Sequence, residues 1–351
     1  MPSASFWKGK RVLLTGHTGF KGSWLAIWLR RLGAEVTGVS LPSVTEPNLF
    51  TLASIDSICD SHYCDIRDAG ALAKLFRGAK PELVFHMAAQ PLVRDSYREP
   101  LLTFDTNVMG AAHVLEAMRG LSSIKVAVMV TTDKVYSNLE QLRPYREDDM
   151  LGGYDPYSAS KAASELVIAS YRDAFLAEQG VSVATARAGN VIGGGDWSRD
   201  RLIPDALMAW QADSVLEIRR PEAVRPWQHV LDPLAGYLCL AEYLWKNPTG
   251  TGAYNFGPQT DAAASVRDVV ELARAHFESS QVSYSRYKEG PHEAGLLSLN
   301  TKKAQETLGV KPRWNLSESV KHTFDWYCAQ LRGSDARKLC VADINAFEGE
   351  S

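Results

Sequence analysis

The 351-residue chain contains no apolar run long enough to cross a bilayer, so a membrane-spanning helical protein is excluded and a soluble one expected. Its first ten residues, Met1 to Lys10, lack the charged, apolar and small-residue order of a secretory signal, and a cytosolic setting is expected. Cysteine is scarce: the five, Cys59, Cys64, Cys239, Cys328 and Cys340, are odd in number and show no CxxC spacing. Free thiols follow, and neither a disulfide framework nor a metal site is expected. Charge of one sign is also missing. The net charge is −3 with no basic stripe, which argues against nucleic acid as a partner, so anionic ligands must be met by a few placed groups. Internal repeats and low-complexity segments are absent.

What is present is an ordinary globular composition, 45% hydrophobic and 23% charged, in a chain long enough for one large α/β unit or two fused lobes. The first half alternates short apolar runs with helical periodicity, the signature of parallel strands joined by crossover helices. Strands are expected at residues 11–15, 35–39, 83–86, 125–131 and 181–187, with helices at 23–32, 69–76, 106–118 and 157–178. Beyond Asn190 the rhythm changes to loops rich in Gly, Pro, Trp and Arg, then helices at 233–245, 266–276 and 317–331. The expected fold is α/β, a doubly wound parallel sheet of the Rossmann type over residues 1–189. A smaller substrate-binding lobe follows over 190–351, with the chain crossing between lobes. Loops 189–204 and 219–230 are too long to be mere connectors and are expected to line a cleft.

Gly16-x-x-Gly19-x-x-Gly22 follows the first strand and opens a helix, where glycine permits a tight turn and lets backbone N–H groups approach a pyrophosphate. The second strand ends Val39-Ser40-Leu41-Pro42, without the acidic residue that would hold a ribose 2′-hydroxyl. No Lys or Arg lies between Arg31 and Arg67, which leaves a 2′-phosphate without a nearby partner and favours NAD. Asp65 and Ile66 follow the expected third strand, where they contact adenine or Asp65 caps a loop.

Asp155-Pro156-Tyr157 reads as a helix start, with Tyr157 and Lys161 as i and i+4 neighbours on one face. A phenol with a pKa of about 10 is a poor base, but a nearby ammonium and a cationic nicotinamide favour the phenolate. The strand at 125–131 delivers Thr132, Asp133 and Lys134 to the carboxyl edge where open α/β sheets place ligands. Thr132 can hydrogen-bond a sugar hydroxyl, while Asp133 and Lys134 put an acid and a base side by side.

These residues, with the segments TGHTGFKGSWL (15–25), FHMAAQPLVRDSY (85–97), TTDKVY (131–136), GGYDPYSASK (152–161), ARAGNVIGGGDW (186–197), DRLIPD (200–205) and RPWQHVLDPLAGYL (225–238), resemble the nucleotide-sugar-modifying extended short-chain dehydrogenase/reductase family over nearly the whole chain. The last, third-last and first segments point to the branch of 4,6-dehydratases that take CDP-D-glucose. The resemblance implies that Tyr157, helped by Thr132 and Lys161, takes the proton of the 4-hydroxyl, that Lys134 removes the C5 proton, and that Asp133 protonates the departing 6-hydroxyl. It implies NAD held by Gly16, Thr18, Gly19, Phe20, Lys21, Gly22, Asp65, Ile66, Ala88, Ala89, Gln90 and Asn107 together with Tyr157 and Lys161. Asn190 and Arg225 would meet the substrate diphosphate, and Arg201, Leu202 and Ile203 would close over its base. His229 stays between a structural histidine and a substrate contact, and Trp197 and Trp227 between packing and stacking near cytosine. Asn300 departs from the Asp that the family often carries, at a local turn. Related 4-epimerases and 4-reductases need no acid–base pair for C5 and C6, and a non-catalytic redox sensor needs neither Thr132, Tyr157 nor Lys161. Small residues Ala111, Ala112, Ala159, Ala162 and Ala163 suit helices that pair across a two-fold axis, so a homodimer or homotetramer is expected.

Overall fold

The computed structural model describes residues 1–141, 143–259, 263–277, 280–285 and 296–349. Seven strands form the central sheet: β1 (Arg11–Thr15), β2 (Glu35–Ser40), β3 (Asp60–Tyr63), β4 (Leu83–His86), β5 (Val126–Val130), β6 (Ser182–Ala188) and β7 (Gly252–Phe256). Their spatial order is β7-β6-β5-β4-β1-β2-β3, and every pairing is parallel. The order reverses between β1 and β4, so the loops leaving these two strands diverge and open a crevice at their carboxyl ends.

Sequence explains the placement of the strands. β5 reads Val-Ala-Val-Met-Val and β6 Ser-Val-Ala-Thr-Ala-Arg-Ala, each buried at every position, as central parallel strands covered on both faces must be. β3, Asp-Ser-His-Tyr, has no buried residue and forms an edge. Separate apolar clusters cover the two faces, one around Trp24, Trp28 and Phe85, the other around Phe76, Val84 and Met129.

The helices position the crevice. α1 (Phe20–Arg31) starts directly after Gly19 and buries Trp24, Leu25, Ile27, Trp28 and Leu29. α2 (Ala69–Ala79) begins where the Asp68 carboxylate accepts from the Ala71 N–H. α3 (Gly110–Met118) completes a longer helical path than expected, running from Pro100 through a wide turn at Asp105–Met109. α4 (Pro156–Tyr171) is capped by Asp155, which accepts from the Ser158 N–H at 2.9 Å and its hydroxyl at 2.7 Å.

After β6 the chain forms α5 (Leu202–Gln211), so the loop expected to reach Pro204 ends three residues early, at Arg201. α6 (Leu231–Lys246) and β7 then return to the first half: β7 extends the sheet beside β6, and α6 is buried along most of its length. α7 (Leu316–Leu331) and α8 (Ala336–Glu348) close the same side, with Glu348 accepting from the Trp28 indole at 2.8 Å. Short strand pairs, Val191–Ile192 with Gln228–His229 and Val224–Arg225 with Ala264–Ser265, pin the substrate-side loops. Among the described residues, no helix is long and apolar enough to cross a membrane.

Candidate active site

A cleft of about 1220 Å³ lies along the carboxyl ends of the central strands. That exceeds the roughly 300–1,000 Å³ usual for one small ligand and leaves room for two. At one end is the glycine turn. Gly16 has φ +83°, and a Cβ there would lie 2.7 Å from the Ala88 nitrogen; one on Gly22 would lie 2.0 Å from the Gly16 carbonyl oxygen. Gly19 meets nothing nearer than 3.4 Å, so that its missing side chain leaves the cradle open towards the cleft. The Thr18 hydroxyl bonds Ser40 Oγ and the Leu41 carbonyl, both at 2.8 Å, and thereby ties the turn to the end of β2.

Ile66, Ala88, Ala89 and Gln90 line the adjoining wall with Phe20. Asp65 also faces the cleft, but its carboxylate is engaged by Arg67, which donates through its backbone N–H and its guanidinium at 2.6–3.1 Å. Arg67 therefore stands in the cleft as a cation whose charge Asp65 already balances, holding the Asp65 carboxyl below its ordinary range. Asn107 does not reach the cleft surface. It is buried behind the wall, where its Oδ1 accepts from the Gln90 N–H at 2.8 Å and its Nδ2 donates to Ser160 Oγ at 2.9 Å. Its place is to fix Gln90. Lys21 lines the cleft, and its ammonium donates to the Tyr237 hydroxyl at 3.1 Å. Burial, with Arg201 and Lys161 nearby, lowers its pKa to about 7.

The reactive groups converge at the middle. Tyr157 and Lys161 on α4 face Thr132, Asp133 and Lys134, which follow β5 in a single 3₁₀ turn. The Thr132 hydroxyl donates to Asp133 Oδ1 at 3.1 Å. Asp133 Oδ2 is buried without a hydrogen-bond partner, and burial pushes this carboxyl above its ordinary range although Lys134, Thr132 and Arg225 oppose the shift. An acid so placed holds its proton more tightly than a solvated carboxyl does. The Lys134 ammonium lies 5.9 Å from the centre of the Tyr157 ring. Lys161 donates to the Val130 carbonyl at 3.1 Å, and burial lowers its pKa to about 8 against the upward pull of Glu165. Tyr157 is pushed up to about 12 by burial, with its hydrogen-bonding contact to Thr132 pulling the other way. The expected lowering of the phenol is thus not supplied by the protein's own groups, because desolvation outweighs them.

At the far end, Asn190, Arg201, Leu202 and Arg225 all line the cleft. Arg201 is held by Asp196 at 3.0 Å, and Arg225 anchors one Nη1 on the Val224 carbonyl at 2.8 Å. Trp197 and Trp227 reach the cleft, but Trp197 also packs edge-on against Trp326 and Tyr327, and the Trp227 indole donates to the Ala264 carbonyl. His229 is fully buried away from the cleft, between Trp24 and Trp314, and burial keeps it neutral. The Asn300 side chain accepts from the Lys302 N–H at 3.0 Å, a local turn outside the cleft.

Two groups close to the reactive cluster went unread in the sequence. Tyr237 receives Lys21, and Glu165 stands on α4 one turn beyond Lys161. The spacing Tyr157, Lys161, Glu165, each four residues on, would have marked Glu165 as sharing the reactive helix face.

Among relatives, the CDP-glucose 4,6-dehydratase of Salmonella typhimurium is 45% identical over 353 residues, covering 99% of this chain and 98% of the relative. The dTDP-glucose 4,6-dehydratase 1 of Escherichia coli is 24% identical, covering 93% and 94%. The solved UDP-glucose 4-epimerase from Brucella ovis in complex with NAD shares the fold, with a TM-score of 0.78, 24% identity and coverage of 90% of this chain and 97% of that one. The family described as GDP-mannose 4,6 dehydratase matches residues 13–323, and the chain belongs to it.

Proposed function

We propose that the chain converts CDP-D-glucose to CDP-4-dehydro-6-deoxy-D-glucose and water, as an NAD-dependent 4,6-dehydratase. The observation that carries this reading is Asp133: a buried carboxyl, raised in pKa, with one oxygen unpartnered, beside Lys134 and Thr132 in a cleft shared with Tyr157. Epimerisation or simple reduction at C4 has no use for such an acid. The sugar nucleotide follows the Salmonella typhimurium relative.

The glycine cradle fits a dinucleotide: its open face at Gly19 sits at the start of a 12-residue helix, where backbone N–H groups meet phosphate. Gly16, Thr18, Gly19, Phe20 and Gly22 would hold the diphosphate, and Ile66, Ala88, Ala89 and Gln90 the adenosine side. The chemistry NAD supplies when bound is reversible hydride acceptance, between C4 and C6 of the sugar, together with a positive charge that favours the Tyr157 phenolate.

Tyr157 takes the proton of the 4-hydroxyl, with Thr132 orienting that oxygen and Lys161 favouring the phenolate. The ketone so formed acidifies the C5 hydrogen. Lys134 accepts that proton as the neutral amine, and Asp133 gives its own to the 6-hydroxyl, which leaves as water. Asp133 becomes a carboxylate just as Lys134 becomes an ammonium, so the two new charges neutralise each other. The proton from Lys134 returns to C5 as hydride reaches C6. Tyr157 now holds the proton that Asp133 lacks, and the Thr132 hydroxyl between them, 3.1 Å from Asp133 Oδ1, offers the path that resets both. Arg225 and Asn190 grip the diphosphate, and Arg201 with Leu202 covers the base.

Purified protein incubated with CDP-D-glucose should give a product lighter by one water, carrying solvent deuterium at C5 when the reaction runs in D₂O, with no net consumption of cofactor. An unchanged sugar, or turnover of UDP- or dTDP-glucose only, overturns the reading.

The protein is further read as a cytosolic homodimer or homotetramer. Exposed Leu101, Phe104, Met109 and Leu166 lie on the helices that precede α3 and on α4, where a second copy would cover them. Of the small residues, Ala111 and Ala162 are buried within the chain, while Ala112, Ala159 and Ala163 are half-buried. Light scattering on a size-exclusion column that gives a monomer mass rejects the assembly.

A further inference from the structure

Beneath the reactive cluster lies a buried ion pair that the chemistry above does not use. The Glu165 carboxylate accepts four hydrogen bonds: from the Thr131 hydroxyl at 2.5 Å, the Thr185 hydroxyl at 2.8 Å, and Arg187 Nε and Nη2, both at 2.9 Å. Both charged side chains are 4% exposed. Arg187 in turn donates through Nη1 to the Tyr136 hydroxyl at 2.9 Å and the Glu147 carbonyl at 3.1 Å. A pair this dry contributes little net stability, because the desolvation of two charges offsets their attraction and apolar replacements of similar volume often serve as well. Its geometry, however, joins three things. Thr131 is the residue before Thr132, Asp133 and Lys134; Thr185 and Arg187 belong to β6; and Glu165 extends the helix face that carries Tyr157 and Lys161.

We propose that Glu165 is a positioning residue for the dehydration: through Thr131 it sets the acid–base turn against α4, and it is the buried counter-charge of Lys161. This rests on the reading of Tyr157, Lys161 and Asp133 as the reactive groups. The charged or titratable neighbours of Lys161 are Glu165 and Tyr157 on its own helix, Asp133 and Lys134 on the turn that it faces, His86 at the end of β4, Lys21 on α1 and, behind Glu165, Arg187 on β6. Among them Glu165 is the carboxylate whose charge pulls the Lys161 pKa up, while burial raises the Asp133 carboxyl and keeps His86 neutral. Lys161, already lowered to about 8 by burial, loses its proton at still lower pH once that charge is gone.

The test compares the cofactor-saturated wild type with Glu165→Gln, with the double variant Glu165→Gln/Arg187→Met, and with Thr131→Val. Two readouts are taken across pH: kcat and KM with CDP-D-glucose, and acetylation of Lys161 by acetic anhydride, read by peptide mass spectrometry. The second needs no substrate. In Glu165→Gln the alkaline limb of kcat and the labelling midpoint both move down by about one pH unit, roughly a tenfold change in the proton equilibrium, while KM stays within about threefold. The double variant leaves no unpaired charge in the core and folds if the single one does not; because it also removes the Arg187 cation, its move is in the same direction but smaller. Thr131→Val keeps the ion pair, so its kcat falls about tenfold without a change in either midpoint. Lys161 midpoints unchanged in whichever charge variant is folded, or undiminished kcat in Thr131→Val, overturns the proposal. A wild type that leaves CDP-D-glucose unchanged overturns the substrate reading instead, and labelling still decides the role of Glu165.

Discussion

Replacing Gly19 by Ala separates the fold of the glycine turn from its binding role. The residue has φ −79° and ψ 165°, a backbone that alanine adopts freely, and its added methyl would have the Gly16 carbonyl oxygen as nearest neighbour at 3.4 Å. Gly19 caps the N-terminus of α1, so the fold loses only the preference of glycine over alanine at that position, about 0.5–1 kcal/mol. For a chain of this length that amounts to a melting temperature lower by roughly 1–3 °C. The methyl projects into the cradle, however, where a diphosphate must come within hydrogen-bond distance of the backbone. Losing one charge-assisted hydrogen bond there costs about 1.5–3 kcal/mol, a Kd for NAD weaker by roughly 10- to 100-fold. Gly22→Ala makes the opposite trade: its methyl would stand 2.0 Å from the Gly16 carbonyl oxygen, so the turn itself must move and the protein should melt far lower or fail to fold. Calorimetric titration of cofactor-stripped protein with NAD, beside thermal melts, measures both quantities. Gly19→Ala that binds NAD within twofold of wild type refutes the placement of the dinucleotide on this turn.

Asp133→Asn preserves the shape of the protonated acid but cannot give up a proton, so kcat for water loss should fall by about 10²–10⁴ with no loss of thermal stability; a variant retaining a tenth of wild-type activity removes Asp133 from the acid role. Tyr157→Phe should reduce turnover by a similar factor at unchanged substrate affinity, and the appearance of oxidised sugar at the wild-type rate would speak against Tyr157 as the base. Asp232 does not line the cleft and bears on stability: burial raises its pKa to about 7, and its Oδ2 is buried without a partner. Because the unfolded carboxyl titrates near pH 4, stability is fully present below that pH and is lost as pH rises through about 7. Asp232→Asn should therefore be more stable than wild type at about pH 8, on the order of 2 kcal/mol after discounting for partial exposure, with the gap falling to roughly a third near pH 5 and closing near pH 4. Chemical denaturation at the highest and lowest of these values checks this, and equal gaps at the two would refute the linkage.

The parts that were legible in the sequence are those fixed by local spacing. β1 and β4 appear at the expected residues because continuous apolar runs between turn signals leave few alternatives, and the glycine turn and the Tyr157–Lys161 step are set by neighbours three or four positions apart. β7 escaped because Gly-Ala-Tyr-Asn-Phe lacks the run of branched apolar residues that marks β1 and β4, and becomes a strand by pairing with β6. Asn107 shows the same limit in a single side chain. The sequence places it near the cofactor wall, but only packing decides that its amide turns inward to hold Gln90 and Ser160. Partnerships across long stretches were invisible: Lys21 meets Tyr237 216 residues away, and Arg187 meets Glu165 22 residues back, through a strand and a helix whose relative setting no local pattern encodes. The pKa values follow from such contacts. A Tyr-x-x-x-Lys spacing suggests a phenol drawn down by an ammonium, yet in the folded chain burial wins over both groups: the phenol is pushed up to about 12 and the lysine down to about 8. Of the two charges named for favouring the phenolate, the lysine ammonium does not outweigh burial, which leaves the larger share to the nicotinamide of a bound NAD. This is why the occupied cradle and the reactive pair should fail together when Gly19 is filled.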